Sequence, residues 1–208
     1  MMFGEISLRD NTKFNFGEVS VEIKKDNEYF VYTREGKKVI IVGDKISFLP
    51  APAVGYGVKL MMVRLETPLS IAPHEKIEGF LSVPIEVSVK TGKVEIDRFN
   101  VGREKYALYG SLESGVIARY AKSMINKKPV GIGNIKVIIE NRTEEWGFVE
   151  KIVFPLFDTM YYSEDKAFYP LINVIIEKDL EVINTGKPPM EGLNVVGSER
   201  SISFRMRW

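Results

Sequence analysis

Apolar and polar residues alternate with a period of two along much of this chain. Val19, Val21 and Ile23 alternate with Ser20, Glu22 and Lys24, the pattern of a strand buried on one face. Asp26-Asn27 supplies a turn, residues 29–34 a return strand, Glu35-Gly36 a second turn and residues 38–42 a third strand, stopped at Gly43-Asp44. Turn signals at this spacing predict a meander of short strands. A Pro/Gly-rich crossing follows at residues 50–57, then the nearly continuous apolar run VKLMMVRL (residues 58–65), whose two methionines read best as gap-filling core residues. Residues 67–73 read as a proline-bounded loop. Residues 77–89 read as one long strand interrupted at Pro84, which cannot donate to a ladder and so predicts an edge or a bulge. Thr91-Gly92 turns the chain into a strand over residues 94–99.

The second half opens at residues 103–109. Residues 116–124 fit two periods: Ile117, Tyr120, Ala121 and Met124 make a helical face, and Val116, Ala118 and Tyr120 a strand face. The β surroundings favour a strand. Further strands are predicted at residues 135–140, 146–154, 171–177 and 201–206, with a long aromatic and acidic loop at 157–169 and an irregular segment at 184–197. About thirteen strand candidates emerge, too many for one open sheet without curling or splitting. The expected fold class is all-β with little helix. Two β-sandwich lobes of immunoglobulin-like size are expected, over residues 1–100 and 104–208, with one larger sandwich as the alternative.

Composition narrows the chemistry. A chain of 208 residues buries a sizeable core without a covalent staple. Lys+Arg is 29 against Asp+Glu 28, so no basic excess points to nucleic acid. The absence of cysteine removes thiolate nucleophiles, disulfides and Cys-type metal sites together. Glutamine is also absent while Lys and Glu are abundant, the composition expected of a thermophile. The opening residues reach Glu5 before any apolar run develops, so no secretory leader is expected. The longest uncharged stretch, residues 46–58, is short and broken by Pro50, Pro52, Gly55 and Gly57. A cytoplasmic location without direct membrane insertion is therefore the expectation.

The usual catalytic vocabulary is thin. His74 is the one histidine, set in a Pro-His-Glu loop, and no GxSxG elbow accompanies it. Asp97, Glu113, Glu140 and Asp158 are the acids to inspect for paired-carboxylate hydrolysis, although each also reads as a solvated strand-end charge. Asp158, Glu164 and Asp165 cluster in the aromatic loop without EF-hand spacing. The same loop carries Phe157, Tyr161, Tyr162, Phe168 and Tyr169, which either stack on a sugar or fold back into the core. PVGIGN (residues 129–134) lacks the Lys-Ser/Thr of a phosphate loop, and Asn141-Arg142-Thr143 is a formal glycosylation sequon. RSISFRMRW at residues 200–208, with Arg200, Arg205, Arg207 and Trp208, reads as a charged edge strand or a basic contact strand.

The densest mixture of residue types lies at 105–124, KYALYGSLESGVIARYAKSM. Tyr106, Tyr109, Tyr120, Glu113 and Arg119 surround Gly110 and Gly115 there. Tyr and Arg are the side chains most enriched at binding hot spots. The structural alternative is a tyrosine-lined lobe junction with Glu113–Arg119 as an ion pair. This stretch, together with RLETPLSIAPHEKIEGFLSVPIEV at residues 64–87, resembles the archaeal family of unknown function DUF432. The family has no established activity, so the resemblance carries over no catalytic residue. It implies as partner an integral membrane protein, since members are associated with genes for small mechanosensitive channels.

The first expectation is thus a non-enzymatic protein-interaction module. Its binding residues would be Tyr106, Tyr109, Glu113, Arg119 and Tyr120. A small-ligand or carbohydrate binder using Asp158, Tyr161 and Tyr162 is the alternative, and a carboxylate-dependent hydrolase the third reading. No metal site, no cofactor and no nucleic-acid partner is expected, and the oligomeric state is left open.

Overall fold

A computed structural model of the chain describes residues 2–197 and 202–206. Among these residues there is no helix, and the fold is all-β, with sandwich-like packing of four sheets. The first sheet runs β1 (Gly4–Ser7), β6 (Lys45–Pro52), β9 (Ile85–Thr91), β10 (Val94–Asn100), all antiparallel. The second is the expected meander of β2 (Thr12–Phe16), β3 (Val19–Asp26), β4 (Tyr29–Arg34) and β5 (Lys37–Ile41). The third runs β11 (Tyr106–Tyr109), β12 (Val116–Ser123), β7 (Leu60–Ile71), β14 (Gly147–Pro155), with β12 and β7 parallel. The fourth runs β19 (Asn194–Val196), β15 (Met160–Tyr162), β16 (Ala167–Phe168), β13 (Gly133–Asn141), β17 (Ile172–Ile176), β18 (Leu180–Asn184), β20 (Ile202–Met206). There β8 (Lys76–Ser82) also pairs with β13.

The first and second sheets face each other through phenylalanines. Phe16 of β2 lies 5.2 Å from Phe48 of β6 and 5.6 Å from Phe99 of β10, ring centre to ring centre, and Phe3 lies 6.0 Å from Phe16. Tilted and edge-on rings at these separations add attraction to the area they bury. Beside them sits a buried charge knot. Glu35 and Gly36 both have positive φ, making the two-residue turn that matches strand twist, and so Arg34 and Lys37 stand directly opposite each other. A register shift between Glu95 and Asp97 places Asp97 under them. Arg34 Nε donates to Asp97 Oδ2 at 2.7 Å, Lys37 Nζ to Oδ1 at 2.9 Å and the Tyr32 hydroxyl to Oδ2 at 2.6 Å. Burial raises the Asp97 pKa, and the hydrogen bonds from Arg34, Tyr32 and Lys37 outweigh it, so the carboxyl sits at about 2. Burial first, then the bond to Asp97, pushes the Tyr32 hydroxyl up and keeps it a donor.

The lobe boundary expected near residues 100–104 is not where the hydrogen bonding divides. β7 pairs with β12 and β14, and β8 pairs with β13, so residues 60–82 lie in sheets built mainly by the second half. One continuous buried cluster includes Phe48, Tyr32, Met61 and Ile135, a residue from each sheet. Pro84 also reads differently: it does not interrupt one strand but separates β8 from β9, which belong to different sheets. Residues 67–71, expected as loop, continue β7; Pro68 falls where the β7–β14 ladder is interrupted, so no bond is lost. The run Met61, Met62, Val63 is buried at successive positions, which requires cover on both faces. Residues 116–123 are a strand, as the β surroundings favoured.

Candidate functional site

β11 and β12 form a hairpin at the margin of the third sheet, in which β11 pairs, among the described residues, only with β12. Its turn needs glycine twice. Gly110 has φ 111°, and a Cβ on Gly115 would meet the Ser111 carbonyl and Leu108. The Ser114 N–H donates to Ser111 Oγ at 3.1 Å inside the turn. Tyr106 pairs with Arg119 and Tyr109 with Val116. Strand alternation therefore puts Tyr106, Leu108, Ile117 and Arg119 on one face, and Tyr109, Val116, Ala118 and Tyr120 on the other.

Arg119 is not a surface residue. It is the largest of the fully buried side chains among the described residues. Nη2 donates to Asn100 Oδ1 at 2.9 Å, Nη1 lies 3.5 Å from Glu104 Oε2, and the guanidinium sits 5.1 Å from the Tyr106 ring centre. Nε and Nη1 have no hydrogen-bond acceptor. The Tyr106 hydroxyl donates to Glu104 Oε2 at 2.8 Å; burial first, then this bond, pushes its pKa up. Asn100 Nδ2 also bonds Glu104. The expected Glu113–Arg119 pair does not form: Glu113 is exposed in the hairpin turn, and Arg119 is matched instead by the segment leaving β10.

A second buried group braces this face. Arg98 Nε donates to Glu86 Oε2 at 2.5 Å, and Glu86 Oε1 accepts the Gly55 N–H at 2.7 Å. The Tyr169 hydroxyl donates to the Pro84 carbonyl and accepts the Ala53 N–H, both at 2.9 Å. These bonds hold residues 53–58 against the hairpin, with the Tyr56 ring 6.3 Å from Tyr106. Sequence reasoning passed over Glu86, Arg98, Asn100 and Glu104, and held Tyr169 only as one ring of the aromatic loop. The available signal was Glu86 inside the run IEVSV, a charge where every neighbour is buried.

Above this brace the hairpin exposes large apolar side chains. Tyr56 is 93% exposed, Leu112 96% and Ile117 58%, and Leu108 and Val116 are exposed beside them. Tyr56, Val58, Lys59, Tyr106, Val116 and Ile117 line a cleft of about 740 Å³. On the opposite face Tyr109 lines a second cleft of about 680 Å³ and meets Phe204 of β20 at 6.0 Å. Tyr120 is half-buried and lines a third concavity with Arg103, Lys105 and Lys122. The structure thus gathers Tyr106, Tyr109, Tyr120 and the buried Arg119 around one hairpin, with Glu113 in its turn.

The aromatic loop does not join them. Tyr161 is buried with Phe80 and Phe168, and its hydroxyl donates to the Gly186 carbonyl at 2.6 Å. Tyr162 is half-buried against Phe3 at 6.2 Å, Phe168 and Tyr169 are buried, and Asp158 is exposed. Rings used this way offer no stacking platform for a sugar. No group of three or more His, Cys, Asp or Glu that could hold a metal occurs among the described residues. Of the acids singled out, Asp97 is closed under its donors, Glu140 pairs with Arg142 at 2.9 Å, and Glu113 and Asp158 are exposed on separate turns.

The remaining motifs have structural explanations. Asn141 of the sequon is fully buried; its Nδ2 donates to the carbonyls of Ile71, Ala72 and Glu145, and Thr143 donates to its Oδ1, leaving no free amide. The PVGIGN loop folds around Asn134, whose Oδ1 accepts the Val130 N–H at 2.9 Å. His74 is exposed, 3.1 Å from Glu144. Among the described residues β20 pairs only with β18 and presents Arg205; Arg200, Arg207 and Trp208 lie outside the described residues.

The sequence model of a family described as a protein of unknown function, DUF432, matches residues 2–207, nearly the whole chain. The chain belongs to that family. No curated protein and no solved structure matches it. For this DUF432 chain the site is therefore defined by its own geometry. No helix among the described residues is long and apolar enough to cross a membrane.

Proposed function

We propose that this DUF432 chain is a non-enzymatic interaction module of the archaeal cytoplasm, capturing an exposed segment of an integral membrane protein on the β11–β12 hairpin. The observation that carries this reading is the exposure of Tyr56, Leu108, Leu112, Val116 and Ile117 around one marginal hairpin, over a buried polar brace that fixes its shape. Soluble monomers rarely expose apolar side chains contiguously unless the surface meets something. The abundance of Lys and Glu with no Gln supports a thermophilic source, and the resemblance that first pointed to DUF432 supports the membrane-protein partner.

Affinity capture from detergent-solubilised membranes tests the reading. Wild-type protein should enrich one integral membrane protein, and Leu108→Asp with Ile117→Asp should lower its recovery roughly tenfold or more, since two charges would be desolvated in an apolar contact. Both positions are exposed but stand directly opposite each other in the ladder, so repulsion of the two carboxylates should lower the unfolding temperature slightly without unfolding the variant at the assay temperature. Equal recovery by the variant, or a dimer in sedimentation that the substitutions dissolve, would refute capture through this hairpin.

A further inference from the structure

The cleft on the face of the hairpin opposite Arg119 carries different chemistry. Leu60, Val116, Phe204 and the Tyr109 ring give it an apolar lining. Lys151 of β14 and Arg205 of β20 also line it, and no Asp or Glu among the described residues does. Neither cation forms an ion pair among the described residues. Lys151 is half-buried, so part of its hydration is already lost with no carboxylate in return. Ser111 and Ser114 add hydroxyls from the hairpin turn. The volume of about 680 Å³ lies within the range of small-molecule sites.

We propose that this cleft binds an amphipathic organic anion, its carboxylate or phosphate head on Lys151 and Arg205 and its apolar body over Leu60, Val116, Tyr109 and Phe204. Arg205 brings a planar fork suited to two oxygens of one head group, and Lys151 a compact charge beside it. The apolar lining excludes a bare inorganic anion as the best fit, because such an ion would leave that surface wet. Val116 borders both this cleft and the one beside Ile117, but Lys151, Phe204 and Arg205 line this cleft alone, so the inference does not rest on the surface taken for protein capture.

Isothermal titration of the whole protein with decanoate and decyl phosphate, below their micelle concentrations, tests it against decanol. Both anions should saturate a single site, and decanol should bind about tenfold more weakly or not at all. Lys151→Ala with Arg205→Ala should weaken the anions about tenfold or more and leave decanol unchanged, while Ile117→Asp should leave all three unchanged. Absence of saturation, equal binding of decanol, or retention of anion binding in the double variant would each overturn the site. Vesicles containing phosphatidylglycerol separate the sources of the head group. Co-sedimentation in addition to soluble binding assigns a membrane lipid, and soluble binding alone assigns a free ligand. Co-sedimentation without any soluble binding would place the interaction outside the cleft.

Discussion

Asp97→Ala is expected to lower the stability of this protein by about 3–5 kcal/mol, the usual loss when one partner of a buried ion pair is removed. The Asp97 side chain is 2% exposed and serves three donors from the neighbouring sheet, Tyr32, Arg34 and Lys37. Without it the Tyr32 hydroxyl loses its acceptor, and the Arg34 guanidinium keeps only Glu35 and the face of Phe99 at 4.9 Å. Lys37 is nearly half exposed and turns to water, so Lys37→Ala should cost no more than about 1 kcal/mol. Urea unfolding at neutral pH reads both, through a shift of midpoint at constant slope. A loss below about 1 kcal/mol for Asp97→Ala would mean that the phenylalanine contacts alone hold the first two sheets together.

The same carboxyl sets an acid limit. Its pKa falls from 3.8 to about 2 on folding, because the three donors outweigh burial. A carboxyl with a lower pKa in the folded state stabilises fully above its unfolded pKa and loses that contribution as pH falls through the folded value. At ~1.4 kcal/mol per pKa unit the contribution is on the order of 2 kcal/mol, present above about pH 4 and lost toward pH 2. Wild-type stability should fall across that window, and Asp97→Asn should be less stable at neutral pH but flatter from pH 4 to 2. Parallel curves for the two proteins would assign the acid transition to other carboxylates.

Local order was legible in the residues, and long-range order was not. The alternation of Val19, Val21 and Ile23, with turn signals at Asn27 and Glu35-Gly36, reads directly as β3, β4 and β5. The nearly continuous apolar run VKLMMVRL reads as core, and Met61, Met62 and Val63 are buried in β7. A period of two says which face is buried but not which strand lies alongside. The pairing of β7 and β8 with the second half was therefore hidden, and with it the true course of the sheets. Pro84 shows the same limit, since a missing donor looks alike at a bulge and at a crossing between sheets.

The site was legible by composition and misread by burial. Tyr106, Tyr109 and Tyr120 do meet at one hairpin, because glycines at 110 and 115 force the turn that brings their strands together. Alternation even placed Arg119 on the face of Ile117, but one of these is exposed and the other is not. The difference comes from Asn100 and Glu104, which reach Arg119 from the end of β10 while the Tyr106 ring faces its guanidinium. The tyrosines of residues 157–169 left two readings open for the same reason: whether a ring stacks on a ligand or fills a core depends on neighbours such as Phe3 and Gly186.

Replacing Arg119 by alanine should therefore unfold rather than disarm. The expected loss is about 2–4 kcal/mol, that of emptying a large buried slot. Glu104, a third exposed and still bonded by Tyr106 and Asn100, needs no buried counter-charge and adds little to it. Arg119→Met separates volume from charge. Methionine fills much of the slot and packs well against the Tyr106 ring, and it removes the two guanidinium nitrogens that lack acceptors. Buried ion pairs often prove replaceable by apolar side chains of similar size, so Arg119→Met should cost less than half of what alanine costs. Urea midpoints of the two variants decide the matter, and anion binding in the Lys151 cleft reports whether the hairpin keeps its shape. If methionine is as damaging as alanine, the bonds to Asn100 and Glu104, rather than the filled space, are what fix the hairpin on the end of β10. The shape of the proposed capture face would then depend on a charge buried beneath it.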